Sequence, residues 1–226
     1  SSVSLPMSTG SGSGRNPYII NYNASGTIQW ANSIGSSVDS TEGDESIAVD
    51  SSGNVYISGS SYSTSSVSLG NGISLAGGTN FQSYTIKYNA SGTAQWANMI
   101  AATSGAYALG IGTDSSGNVI TTGYYSSNST ASVGNGKFLP STTAFPDRDA
   151  FIVKYNTGGT AQWANSISDS GTAIIKGLDV ATDSSGNVIV TGHYNGTLSF
   201  TPTISLPNAG GYANPFIVKY NASGIV

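Results

Sequence analysis

The chain has 226 residues, of which only 8% are Asp, Glu, Lys or Arg, against about a quarter in ordinary soluble domains. The net charge of −4 leaves no basic surface for phosphates, so neither nucleic acid nor an anionic membrane surface is an expected partner. The absence of cysteine excludes disulfides, thiol catalysis and zinc–thiolate sites. No apolar segment approaches the roughly 20 residues that span a bilayer, so membrane insertion is not expected either.

The sequence is a tandem repeat. Its most regular segment begins with Tyr-Asn, passes through a glycine turn and ends with Gln-Trp-Ala-Asn, and its tryptophan recurs after 66 and then 67 residues. A second motif, Asp-Ser-Ser-Gly-Asn-Val, begins at Asp50, Asp114 and Asp183. Repeats of this length indicate an array of similar supersecondary units. The copies of the first segment are 22–32, 88–98, 155–165 and a shorter one at 220–224.

Each unit is predicted to contain four strands, which we call A to D, because residues alternate with a period of two between turn signals. The A–B and C–D connections place Asp or Asn first and Gly fourth, which predicts tight hairpins. The predicted strands are A at 46–49, 110–113 and 179–182; B at 54–59, 118–123 and 187–192; C at 18–22, 84–88, 151–155 and 216–220; and D at 27–34, 93–100 and 160–167.

Tandem units of four antiparallel strands predict an all-β fold, the β-propeller, with about three and a quarter blades. The blades are expected at 1–34 (C and D), 44–100, 108–167 and 177–226 (A to C), which form one propeller segment. Such an arc leaves sheet edges open, so we expect the ring to be completed by a longer protein or by another copy of the chain. A stable monomer in solution would contradict that expectation.

Two details of the blades follow from the repeat. The residue before the last one of strand A is small, which suits the crowded centre of a propeller; these residues are Ala48, Gly112 and Ala181. The strand D tryptophans are expected to pack between blades. The long B–C connections contain Asn71-Gly72 and Asn135-Gly136 between apolar residues, a signal for an ordered hairpin.

A functional surface is expected on the face that carries the B–C and D–A connections, because all variation between units falls there. Aromatic residues beside Asn and Ser could stack on sugars, which makes a glycan or a surface protein the expected ligand; the alternative is that these rings only pad the base of a long loop. The only histidine lies among them and is more often a packed residue than a ligand. The candidate ligand-binding residues are Tyr62, Tyr124, Tyr125, His193 and Tyr194.

The sequence predicts no catalytic residue, metal site or cofactor, and the protein is not expected to be an enzyme. There is no nucleophile–base pair, phosphate loop or recurring carboxylate pair. The turn 50–54 superficially resembles a calcium loop, but it contains one acid where calcium needs several. The acidic run of Asp39, Glu42, Asp44 and Glu45 occurs in one unit only, and solvation is its expected role.

The two motifs together, Asp-Ser-Ser-Gly-Asn-Val and Phe-Ile-Val-Lys-Tyr-Asn with its Gln-Trp-Ala, resemble the SBBP-type β-propeller repeat of bacterial and viral proteins. This resemblance covers nearly the whole chain and implies a non-catalytic protein located extracellularly, on the cell surface or on the virion surface. The first hypothesis is therefore a structural or adhesive module that binds glycan or protein. The alternative is an architectural segment without a ligand, and a hydrolase with a loop-built site comes last.

Overall fold

The computed structural model describes residues 17–34, 40–142, 147–169, 173–201, 203–208, 210–211 and 213–226, and residues 40–44 without their side chains. Within these ranges it contains nineteen strands, and no helix long and apolar enough to cross a bilayer. The strands are β1 (Tyr18–Tyr22), β2 (Ile28–Ser33), β3 (Ser40–Val49), β4 (Val55–Tyr62), β5 (Val67–Gly70), β6 (Ile73–Leu75), β7 (Gln82–Tyr88), β8 (Ala94–Ile100), β9 (Ala106–Thr113), β10 (Val119–Tyr125), β11 (Ala131–Gly134), β12 (Lys137–Leu139), β13 (Asp149–Tyr155), β14 (Ala161–Ile167), β15 (Ile175–Thr182), β16 (Val188–Tyr194), β17 (Leu198–Thr201), β18 (Ile204–Leu206) and β19 (Asn214–Tyr220).

The main sheets are antiparallel meanders, as in the blades of a β-propeller. The order is β3-β4-β7-β8 in blade 2 and β9-β10-β13-β14 in blade 3, while blade 4 contributes β15-β16-β19 and blade 1 contributes β1-β2. The A strands β3, β9 and β15 pack beside one another at the centre. Gly112 lies there, and a Cβ on it would be 3.0 Å from the carbonyl oxygen of Val180 in the next blade. The predicted fold, an open arc of β-propeller blades, is confirmed.

The repeated turns have the predicted chemistry. In the A–B turn of blade 2, the backbone N–H of Gly53 donates to Asp50 O at 3.0 Å, and the Asp50 carboxylate accepts the N–H groups of Ser52 and Asn54 at 2.9 and 3.0 Å. Gly53 has a φ of +76°, a conformation that costs glycine little. All the A–B and C–D turns lie on one side of the propeller, which we call the turn face, and the B–C and D–A connections lie on the other, the loop face.

Strands A and B extend further towards the loop face than the sequence predicts. Strand β9 begins at Ala106 rather than at residue 110, and β10 continues to Tyr125 rather than ending at Gly123. A β-bulge between Thr122 and Gly123 lets the pairing continue. A side chain at the bulge would overlap the strand A backbone, because a Cβ on Gly123 would meet the carbonyl oxygen of Tyr107. In blade 4 a Cβ on Gly192 would likewise meet the carbonyl oxygen of Lys176, whereas in blade 2 a Cβ on Gly59 would meet the Tyr84 side chain.

Neighbouring blades are joined by the repeated tryptophan and asparagine of strand D. Trp96 donates its Nε1–H to Thr157 O at 3.0 Å, and Asn98 donates from Nδ2 to Gly159 O at 2.7 Å, so both bind the C–D turn of the next blade. A Cβ on Gly159 would be only 2.8 Å from the Trp96 ring. The expected packing of tryptophan between blades is confirmed. The same two bonds join Trp30 and Asn32 to the turn of blade 2, and Trp163 and Asn165 to that of blade 4.

The B–C connections fold into small hairpins. Those with Asn-Gly, β5–β6 and β11–β12, are confirmed, and Asn71 and Asn135 have positive φ angles of 53° and 50°. A third hairpin, β17–β18, was missed because its turn lacks Asn-Gly. The hairpins lie along the outer strands, where Ser132 pairs with Ala101 and Ser199 with Ser168 of the preceding blade. They therefore cover the rim and leave the ends of strands A and B on the loop face.

Candidate functional site

The five residues predicted to bind a ligand are divided by strand alternation. All five lie in strands B rather than in loops, where successive side chains point to opposite sides of the sheet. Tyr125 and Tyr194 are 0% and 4% exposed, and their hydroxyls donate to Pro140 O at 2.9 Å and to Pro207 O at 3.0 Å. Those two tyrosines thus fix the ends of the inserted hairpins and offer no ring face. Tyr62, Tyr124 and His193 are half-buried.

The half-buried tyrosines belong to a row of aromatic rings that crosses the loop face, which we call the loop-face strip. The Tyr62 ring lies 6.1 Å from Phe81, Phe81 lies 5.4 Å from Tyr107, and Tyr107 stacks on Tyr124 at 4.7 Å with ring planes 16° apart. The contact between Phe81 and Tyr107 crosses from blade 2 to blade 3. Sequence reasoning missed both of these residues. The only available signal was their aromatic character next to predicted strands.

Cations extend the strip towards blade 4. Arg148 Cζ lies 5.2 Å and Lys176 Nζ 4.7 Å from the centre of the Tyr124 ring, within range of cation–π attraction. Lys176 pairs in register with His193, so the imidazole belongs to the same group. Burial and the nearby Lys176 charge lower the pKa of His193, which keeps this side chain neutral at pH 7. The loop-face strip therefore also includes Arg148, Lys176 and His193.

The three lysines of strands C make their contacts at the turn face. Lys154 forms a buried ion pair with Asp114, Lys219 forms an exposed one with Asp183, and Lys87 donates to Thr157 O at 2.9 Å. The chain has seven Lys and Arg in total. Two of these seven cations, Arg148 and Lys176, therefore lie against one tyrosine, and Asp147 and Asp149 flank Arg148 in the sequence.

A buried acid lies close to the strip. Asp149 is 3% exposed, and its Oδ2 is 3.4 Å from Ser166 Oγ. Burial, together with the charges of Asp147 and Asp169, raises the pKa of Asp149 to about 7. No group of three or more His, Asp or Glu that could hold a metal ion occurs in the described part of the chain.

Replacing Asp149 by asparagine is expected to stabilise the protein at neutral and higher pH. The folded pKa lies above the unfolded one, so the folded state binds more protons between about pH 4 and about pH 7, and wild-type stability falls as pH rises through this window. The variant lacks this loss, which amounts to as much as about 4 kcal/mol. Thermal unfolding at about pH 8 and about pH 4 measures the gap in stability between the variant and the wild type. This gap should close at the lower pH. A gap independent of pH would contradict the assignment.

Of the acids singled out in the sequence, Asp50 lies on the turn face, away from the strip. The Asp50 carboxylate is occupied by its own turn and by the Tyr56 hydroxyl, which donates to Asp50 Oδ2 at 3.0 Å. Of the acidic run, Asp39 lies outside the described residues and the side chains of Glu42 and Asp44 are not described, while Glu45 is exposed.

Comparison with known proteins agrees with the β-propeller fold. The family model "SBBP: Beta-propeller repeat" matches residues 39–65, which lie largely in β3 and β4 of blade 2. The "Uncharacterized WD repeat-containing protein L264" of Acanthamoeba polyphaga mimivirus is 28% identical over 200 residues; the match covers 79% of this chain and 14% of the relative. The chain thus spans about one seventh of that relative. The sequence match and the blades together identify the chain as a β-propeller module that carries an SBBP-type repeat.

Proposed function

We propose that this chain is a non-catalytic module of an extracellular or virion-surface protein, and that it binds an acidic protein partner through the loop-face strip. The observation that carries the proposal is the strip itself, where aromatic rings and cations of three blades form one surface. Tyr, Phe and Arg are the residue types enriched at protein interfaces.

The arrangement of the rings favours a protein over a sugar at this surface. Tyr107 and Tyr124 stack on each other, and two cations lie over Tyr124, so the ring faces are used within the strip. Besides its rings, the strip contains phenol groups and two cationic side chains. Such groups bind carboxylates and backbone carbonyls, which an acidic protein partner supplies. Because the residues stand on strands, little conformational entropy is lost on binding.

The surface location rests on the SBBP resemblance, and the viral source of the relative is compatible with it. Labelling of intact cells or virions with a membrane-impermeant amine reagent tests it, because Lys137 is exposed on the hairpin β11–β12. Labelling only after lysis would contradict this location.

The same proposal includes further blades that complete the ring. Ile47 and Val49 on β3 are 58% and 56% exposed, and Tyr18 on β1 is 65% exposed beside them. The residue equivalent to Ile47 in blade 3, Ile111, lies between two neighbouring A strands and is 6% exposed. The difference supports a missing neighbour on the β3 side of the arc, supplied by the longer protein or by a second copy. A single, well-folded chain by light scattering would contradict the second-copy version.

A purely architectural role is the second candidate. It is favoured by the contact of Phe81 with Tyr107, which joins blades 2 and 3 and could serve only to stiffen the arc. The two candidates differ in what is lost when the strip is altered. If the strip is a binding surface, altering it lowers affinity with little change in stability. If the strip is purely architectural, altering it lowers stability only.

Binding is tested with a fluorescent polyglutamate peptide, by anisotropy at low salt. We expect Arg148→Ala and Tyr124→Ala each to weaken binding by about fivefold or more, since each removes about 1 kcal/mol of charge or aromatic contact. The matched controls are Lys137→Ala and Phe138→Ala, an exposed cation and aromatic residue on the hairpin β11–β12.

The outcomes separate the candidates. Equal affinity of all four variants would contradict the proposed surface. No binding, with a lowered melting temperature for Tyr124→Ala alone, would favour the architectural role. Binding of the wild type to a glycan array, lost in the same two strip variants, would replace the protein partner by a glycan.

A further inference from the structure

A cavity of about 400 Å³ opens on the turn face, between blades 3 and 4, on the side opposite to the strip. Its volume falls in the range of small-molecule sites. The cavity lies where the outer strand β14 of blade 3 meets the C–D turn of blade 4. It is lined by Asn118, Lys154, Gln162, Trp163, Ala222 and Ser223.

One difference between the repeats lies next to the cavity, at Ile120, which pairs with Lys154 of the lining. In blade 2, the strand B residue facing this region is Tyr56, whose ring lies 6.0 Å from Trp96 and whose hydroxyl lies 3.1 Å from Gly117 O of the next blade. In blade 3 the same position is Ile120, which is too short to reach the next turn. Among the described residues, no second aromatic ring therefore lies against the side of Trp163 that corresponds to the Tyr56 side of Trp96.

The same difference redirects the strand C lysine. In blade 2, Tyr56 donates to Asp50, and Lys87 Nζ donates across the blade boundary to Thr157 O at 2.9 Å. In blade 3, without a tyrosine, Lys154 Nζ lies 2.9 Å from Asp114 Oδ2 within its own blade. Lys87 thus bonds across the boundary between blades 2 and 3, whereas Lys154 bonds within blade 3 and lines the cavity.

The lining has the chemistry of a sugar site. The Trp163 indole offers an apolar surface for the C–H face of a pyranose, while Gln162, Asn118 and Ser223 offer amide and hydroxyl groups for its hydroxyls. The charge of Lys154 is balanced by Asp114, so the site is suited to a neutral ligand. We propose that the cavity between blades 3 and 4 binds a neutral pyranose sugar. This site is separate from the loop-face strip, and neither proposal depends on the other.

The three tryptophans make the test internally controlled. Their indole N–H groups give three signals in a 1H–15N correlation spectrum, which single Trp→Phe variants assign. Methyl glycosides of glucose, galactose, mannose and N-acetylglucosamine are titrated to about 50 mM, since an open single-sugar site is expected to bind in the millimolar range. At least one of them should shift the Trp163 signal saturably and leave the Trp96 signal in place. No saturable shift with any of these sugars would overturn the proposal.

Two variants and a matched control locate the site. Gln162→Ala alters an exposed side chain of the lining and should weaken binding by about threefold or more, since it removes hydrogen bonds to the sugar. Gln95→Ala, at the same position of blade 2, should leave affinity unchanged. Ile120→Tyr restores the residue found in blade 2 and should abolish the shift. Equal effects of the two glutamine variants, or full binding by a folded Ile120→Tyr, would overturn the assignment, and Tyr124→Ala should bind the sugar as wild type does.

Discussion

Replacing Trp96 by alanine is expected to lower the free energy of unfolding by about 3–5 kcal/mol, the range for removal of a packed aromatic side chain. The indole touches Gly159 of the next blade, lies 6.0 Å from both Tyr56 and Tyr155, and donates to Thr157 O. The substitution therefore removes packing on both sides of the boundary between blades 2 and 3. It also removes the donor for a turn carbonyl. Urea unfolding followed by far-UV circular dichroism measures the loss.

Two controls separate the contributions to this loss. Trp96→Phe keeps an aromatic ring but removes the N–H donor, and should cost about 1–3 kcal/mol, less than the alanine variant. Phe138→Ala removes a ring that is 55% exposed and should have little effect. If Trp96→Ala cost no more than Phe138→Ala, the tryptophan would not be what joins the blades.

The features that the sequence predicted best are those decided by a few neighbouring residues. The turn at Asp50 needs only its own carboxylate, two N–H groups and Gly53, all within five positions, so the repeat revealed it completely. The strand D tryptophans were predicted between blades because they recur once per unit. Their bonds to the next C–D turn were not predicted, since they join residues about 60 positions apart.

The candidate site was harder to predict because it depends on strand ends and on distant pairs. Tyr124 and Tyr125 look equivalent in the sequence, but the bulge at Gly123 prolongs β10, and alternation then buries Tyr125 fully and Tyr124 only in part. Phe81 and Tyr107 come together from different blades, which no local pattern shows. The difference between Tyr56 in blade 2 and Ile120 at the same position of blade 3 was visible in the repeat. Its effect on a lysine and a cavity required the geometry of the blade boundary.

Replacing Lys154 by methionine is expected to cost about 3–5 kcal/mol, because it leaves the Asp114 carboxylate buried without its countercharge. The side chains of this pair are 6% and 4% exposed. Lys219→Met is the matched control, since Lys219 and Asp183 form the same pair in blade 4 at the same distance of 2.9 Å, but with 58% and 33% of their side chains exposed. That variant should melt close to the wild-type temperature, because water screens an exposed pair.

The pH dependence of the defect identifies its cause. Burial alone would raise the pKa of Asp114, but hydrogen bonds from Asn118 and Lys154 and the Lys154 charge outweigh it, so the pKa is lowered. In the wild type this group stabilises the fold above its unfolded pKa of about 3.9, and the contribution is lost as pH falls through the folded pKa. In Lys154→Met the carboxyl can protonate in the folded state, so the defect should be largest at neutral pH and shrink in acid. A defect of constant size would indicate lost packing of the lysine stem instead, and equal losses in both methionine variants would show that burial does not distinguish the two pairs.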